Sequence, residues 1–121
     1  MQEMIKVAVD AMGGDNAPAE VIKGVIDAVT LRQDIKVYLV GHQDAVKEEL
    51  AKHSYNGTQI EVIHAEEVIE NAEPPVMAIR RKKQSSIVVG MNMVKEGKAD
   101  AFISAGSSGA VLVGGQVIVG R

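Results

Sequence analysis

Glycines, serines and cations gather in three short stretches of this chain, and the chemistry they share is anion binding. Gly13-Gly14, with Asp15 and Asn16, follow an apolar run that ends at Asp10. Lys82-Lys83 close a basic run just before the paired Ser85-Ser86. Ser104, Ala105, Gly106, Ser107, Ser108, Gly109 and Ala110 follow a second apolar run. Glycine lets a backbone turn and approach a ligand at little steric cost. The N–H groups of such a turn, and the positive end of the helix after it, attract phosphate or carboxylate. Serine hydroxyls add donors, and Lys82 or Lys83 would add countercharge. Asp10 and Asp15 repel an anion, so they read as braces for loop N–H groups or as groups that orient a lysine.

Each stretch also has a plain structural reading. A glycine turn with a good cap, a serine-rich N-cap and a solvated cationic face are all common and need no ligand. Competing motifs fail. No GxxxxGK[ST] is present, and no GxGxxG follows a strand. Val40-Gly41-His42 stands where a dinucleotide ribose would want an acid. His42, His53 and His64 lie singly, without metal-site spacing, and no metal or cofactor is expected. Ala105-Gly106-Ser107-Ser108-Gly109 approaches the nucleophile elbow of α/β-hydrolases, which would make Ser107 an acyl acceptor. In that fold the acid and histidine follow the serine, whereas all three histidines here precede it.

The elements that position these stretches alternate. Ile5–Val9 reads as a buried strand and Ala17–Arg32 as an amphipathic helix, with Asp15 and Asn16 as caps and Pro18 in the first turn. Val21, Val25 and Val29 make its apolar stripe, widened by Ile22 and Ile26, and close packing on a sheet would explain Gly24. Ile35–Val40 is a second strand, followed by a charged helix with Val46 and Leu50 inward. Asn56-Gly57 turns into a third strand at Ile60–Ile63. Ala65–Glu73 is acidic and gives no clear period. After Pro74-Pro75 a short helix carries Val76 and Ile79 and ends in Arg80-Arg81-Lys82-Lys83. Ser85 or Ser86 caps the next helix, whose inner face is Ile87, Met91 and Val94 and whose stop is Gly97. Ala99–Ile103 is a fourth strand, and Ala110–Gly120 is expected as a buried helix. The pattern predicts one α/β domain over residues 1–121: three α/β/α layers on a mostly parallel, Rossmann-like sheet, incomplete at its C-terminal end.

Composition narrows the function. The chain has 121 residues, 46% hydrophobic and 24% charged, with a net charge of −3, which gives no global pull toward nucleic acid. Aromatic residues are only 2%, so stacking platforms for single strands are missing. The absence of cysteine excludes disulfides, thiolate metal sites and an acyl-cysteine intermediate. No apolar run approaches the ~20 residues that span a bilayer, and no signal sequence opens the chain, so it reads as cytosolic.

The string Asp10-Ala11-Met12-Gly13-Gly14-Asp15-Asn16-Ala17-Pro18 closely resembles the opening signature of the bacterial phosphate acyltransferases, the fatty acid/phospholipid synthesis proteins. Arg80–Ile87 is similar to that family's basic-plus-paired-serine motif, and residues 104–110 to its SAGNTGA. The third match holds at Ser104, Ala105, Gly106, Gly109 and Ala110; Ser108 keeps a hydroxyl, whereas Ser107 lacks the family's amide. The three motifs occur in family order and span essentially the whole chain, which resembles the N-terminal portion of a longer enzyme. The resemblance implies transfer of a long-chain acyl group from acyl carrier protein to inorganic phosphate, giving acyl phosphate for phospholipid synthesis. It implies Lys82, Lys83 and Ser108 in catalysis. Gly13, Gly14, Asn16, Ser85, Ser86, Ser104, Gly106, Ser107 and Gly109 would bind phosphate, supported by Asp10 and Asp15. Acyl carrier protein and phosphate are the implied partners, in a homodimer that is cytoplasmic or peripheral to the inner face of the membrane. A coenzyme A-dependent phosphate acyltransferase and a noncatalytic phosphate- or carrier-binding fragment remain as alternatives.

Overall fold

The computed structural model describes residues 4–70, 73–106, 110, 114, 115 and 118. Eight elements follow one another: β1 (Ile5–Asp10), α1 (Ala19–Leu31), β2 (Ile35–Gly41), α2 (Gln43–Leu50), β3 (Ile60–His64), α3 (Pro75–Arg81), α4 (Ser86–Lys95) and β4 (Ala101–Ile103). The four strands form one sheet in the order β3-β2-β1-β4, and every pairing is parallel, as the alternation of strands and helices predicts. β1 therefore lies inside the sheet. Its Val7 and Val9 pair with Val37 and Leu39 on one side and with Ala101 and Ile103 on the other.

The strand period sorts side chains between two faces. Val9, Val37, Leu39 and Ile60 pack against Ile22, Val25, Ile26 and Val29 of α1 and against Val46 and Leu50 of α2. Ala8 and Val40 on the opposite face pack with Met93 of α4, with Phe102 against them. Each of these aliphatic side chains, once buried, contributes about 1.5–3 kcal/mol. Beneath α4, Ile87, Val88 and Met91 join Ile69, Ala78 and Ile79, so α3 is held by its own apolar cluster. The result is the expected α/β/α layering.

Several local expectations change. α1 starts at Ala19, two residues later than its pattern predicts, with Pro18 at the N-cap and no capping side chain. Asp15 and Asn16 thus remain in the turn; the Asn16 carbonyl, not its side chain, accepts from Glu20 N–H. Gly24 is exposed, and a Cβ there would meet nothing within 4 Å, so close packing does not explain it. The tight helix–sheet approach is at Gly90 instead, where a Cβ would collide with the Phe102 ring. In α4 Met93 is buried and Val94 only half-buried. The helix is capped by Ser85, whose Oγ accepts from Val88 N–H at 3.2 Å, and Gly97, with φ +78°, follows its C-cap Glu96. β4 is shorter than predicted, at Ala101–Ile103. The expected helix over Ala110–Gly120 falls largely outside the described residues.

Candidate functional site

Parallel pairing brings the carboxyl ends of β1 and β4 level. Because Val9 pairs with Ile103, Asp10 and Ser104 are the next residues on adjacent strands. Asp10 is 2% exposed, and its carboxylate is fully engaged. Oδ1 accepts from Met12 N–H at 2.9 Å, and Oδ2 accepts from the Ser104 hydroxyl at 2.8 Å. Ser104 Oγ in turn accepts from Gly106 N–H at 3.0 Å. A chain of three bonds thus ties the turn after β1 to the turn after β4, across 94 residues of sequence. Burying a charge is tolerable only with such partners.

Gly13 makes this clasp possible. A Cβ at that position would lie 2.7 Å from Asp10 Oδ2 and 2.7 Å from Gly106 N. Gly14 follows with φ +99°, a conformation that side-chain-bearing residues rarely adopt. Gly41 of β2 packs close to this turn, where a Cβ would press on the Met12 side chain at 2.9 Å.

A pocket of about 100 Å³ opens beside the clasp. Gly13, Gly14, Ser86 and Gly106 all line it, so the structure brings together residues from all three sequence motifs. Met12, Ile69 and Ile87 form its apolar walls. The first turn of α4 points its positive end here. In that turn Ser86 N–H bonds to the Glu67 carbonyl and Val88 N–H to Ser85 Oγ. Among the described residues this leaves the Ile87 N–H without an acceptor, and the same holds for the N–H groups of Gly13 and Gly14. The charged side chains on the wall are all acidic: Asp10, Asp15 and Glu70. Any anion bound here is therefore held by backbone donors against a negative surround.

The remaining predicted residues lie elsewhere or serve other partners. Lys82 does not line the pocket; its Nζ donates to the Val68 carbonyl at 2.7 Å and to Glu73 Oε2 at 2.8 Å. That bond, with the Glu70 N–H, holds the Glu73 carboxyl below the usual carboxylate range. Lys83 lines a separate apolar slot with Ile79 and Val88. Ser85 is fully buried as the cap of α4, and the Ser104 hydroxyl proton is directed at Asp10. Asn16 is exposed in the first turn. Ser107, Ser108 and Gly109 lie outside the described residues. Sequence reasoning missed Glu70 and Ile69, which sit in the stretch without a period, and it missed the Asp10–Ser104 bond. It also took the histidines as scattered, whereas His42 and His64 meet edge to face at 5.4 Å at the carboxyl ends of β2 and β3. Among the described residues no group of three His, Cys, Asp or Glu could hold a metal ion, and no helix is long and apolar enough to cross a membrane.

Comparison with known proteins gives this arrangement a context. Residues 5–121 match the family model described as fatty acid synthesis protein. The chain is 49% identical over 115 residues to a phosphate acyltransferase of Clostridium acetobutylicum, covering 95% of this chain and 35% of that protein. It is 51% identical over 117 residues to a phosphate acyltransferase of Alkaliphilus oremlandii, covering 97% of this chain and 35% of the relative. The chain thus spans about a third of the length of the curated relatives it matches.

Proposed function

Given that the chain belongs to the fatty acid synthesis protein family, we propose that it forms the phosphate-holding part of an acyltransferase that makes acyl phosphate from an acyl thioester and inorganic phosphate. The observation that supports this is the convergence of Gly13-Gly14, Ser86 and Gly106 on one pocket with free backbone donors. The chemistry asks little more of the protein. A phosphate oxygen attacks the thioester carbonyl; the tetrahedral oxyanion then collapses, the C–S bond breaks and the thiolate leaves. Phosphate is already nucleophilic near neutral pH, and a thiol of pKa about 8.5 leaves without strong acid assistance. Positioning and charge stabilisation carry the rate.

The proposed acyl donor is long-chain acyl carrier protein, with the acyl phosphate passing to phospholipid synthesis. The backbone N–H groups of Gly13, Gly14 and Ile87 hold the phosphate, and the Asp10–Ser104 clasp holds the turn that carries Gly13 and Gly14 in place. The acidic wall serves release: the site binds phosphate weakly and does not trap a dianion. Lys82 is engaged by Glu73 and the Val68 carbonyl, and Lys83 lines the apolar slot, so in this reading backbone donors hold the phosphate.

Offering the complete protein phosphate with palmitoyl-acyl carrier protein and then with palmitoyl-coenzyme A tests the reading, with acyl phosphate trapped by hydroxylamine. Acyl phosphate from the carrier thioester is the expected product. Product from coenzyme A alone would favour the alternative donor. No product from either, with phosphate binding intact by calorimetry, would reduce the protein to a binding module.

A further inference from the structure

α3 differs from the other helices in what it leaves uncovered. Val76 and Met77 are 48% and 45% exposed, whereas Ala78 and Ile79 beside them are buried. Arg80 and Arg81 end the helix and Lys83 follows, all three exposed. Among the described residues no ion pair involves any of these three, although Lys82 between them is paired with Glu73. Next to α3, Ile79, Val88 and Ile118 line an apolar slot of about 250 Å³ whose rim carries Arg80 and Lys83. The chain as a whole is acidic on balance, at −3, so this cluster is a local reversal of sign. Apolar surface rimmed by unpaired cations is built for a partner more than for water.

We propose that α3 and the slot beside it form the docking surface for an acidic carrier protein, the one that delivers the acyl thioester. The inference rests on the acyltransferase reading above. Charge selects the partner: outward cations speed encounter with an acidic surface and repel a basic one. The slot receives an apolar side chain from a carrier helix, in the helix-in-groove manner. Position supports the same choice. Val88 lines the slot, while Ser86 and Ile87 line the pocket, so adjacent residues of one turn of α4 border both the docked carrier and the phosphate. A membrane surface would also attract cations and apolar side chains. However, α3 is seven residues long and exposes two apolar side chains, too small a face to hold a helix in a bilayer interface.

Calorimetric titration of purified acyl carrier protein into the complete protein tests this, with Arg80→Glu/Arg81→Glu and Met77→Asp as variants. The expected result is affinity weakened about tenfold or more in the double variant, with most of its salt dependence lost. Charge-reversed carrier, carrying lysines in place of acidic residues, should recover part of that loss. Equal affinity for carrier in the wild type and both variants overturns the proposal, as does a wild type that binds no carrier. It is also overturned if the double variant loses binding to anionic phosphatidylglycerol vesicles, or loses self-association, while carrier affinity holds. Acyl phosphate formation, followed in parallel with carrier and coenzyme A thioesters, judges the acyltransferase reading separately. A wild type that binds carrier at α3 yet forms no acyl phosphate would sustain the surface and sink the activity.

Discussion

The pocket beside the clasp at the end of β1 and the slot beside the basic end of α3 both border the first turn of α4, yet the two regions treat charge in opposite ways. At the clasp a carboxylate is 2% exposed and bound by two donors, one of them a serine that is itself bonded onward. At α3 three cations face solvent with no ion-pair partner among the described residues. The clasp fixes two backbone turns relative to one another, a task that needs rigid short bonds and no water. The cations of α3 carry no structure, so their loss should leave the fold intact. Lys82 shows the boundary between the two regimes: one residue from an exposed cation, its ammonium is tied to Glu73 and to the Val68 carbonyl.

Gly13→Val should break this contrast most severely. Its side chain would collide with Asp10 Oδ2 and Gly106 N, and overpacking at a rigid site costs about 1–3 kcal/mol or more. Thermal melting should show a large drop in Tm, and calorimetry a loss of phosphate binding in whatever remains folded. Ser104→Ala comes next. It removes a donor from the buried Asp10 carboxylate, at a cost of about 1–3 kcal/mol. Its KM for phosphate should rise more than kcat falls, since the turns lose their spacing; Ser104→Thr, which keeps the hydroxyl, should recover most of the effect. Gly24→Ala should act in the opposite sense. With open space around the site, alanine should stabilise α1 by up to about 1 kcal/mol, read as a raised urea midpoint.

Glu73→Gln should give the smallest effect and the only one shaped by pH. The Glu73 carboxyl is held low in the folded state by Lys82 and the Glu70 N–H. Its contribution is therefore present above the ordinary carboxylate pKa and lost as pH falls through the depressed folded value. Melting curves of wild type and variant should differ at neutral pH and converge in acid. A difference that persisted in acid would mean that packing, not charge, links Glu73 to Lys82.

The sequence makes the alternation of elements and the parallel sheet legible, because these follow from local signals. Hydrophobic period, glycine turns and the Ser85 cap are all encoded within a few residues. It does not reveal the partner of Asp10, since nothing local says that β4, the last strand in sequence, pairs beside β1. Once that register exists, Ser104 stands beside Asp10 and donates to its carboxylate. Glu70 and Ile69 escaped for a related reason: their segment takes its shape from the bonds of Glu67 to Gln84 and Ser86, not from any period of its own. Lys82 and Lys83 read as a pair by adjacency, but a helix end sends neighbouring side chains in different directions. Gly24 read as the contact point from its place inside a helix, whereas the position of Phe102 puts the close approach at Gly90.

The place of β1 inside the sheet has a consequence in time. Its first neighbour, β2, leaves the ribosome soon after it, but its second, β4, is about a hundred residues away, since the Asp10–Ser104 bond spans 94 positions. At roughly 5–20 residues per second, one edge of β1 waits about 5 to 20 s for its partner. During that interval the N–H and C=O groups along Val7–Val9 form an open strand edge, the kind of surface that pairs with other nascent chains. Asp10 shares the wait, with Met12 N–H as its only donor until Ser104 arrives. The bond that fixes the spacing of the two turns must wait until 94 further residues have followed Asp10.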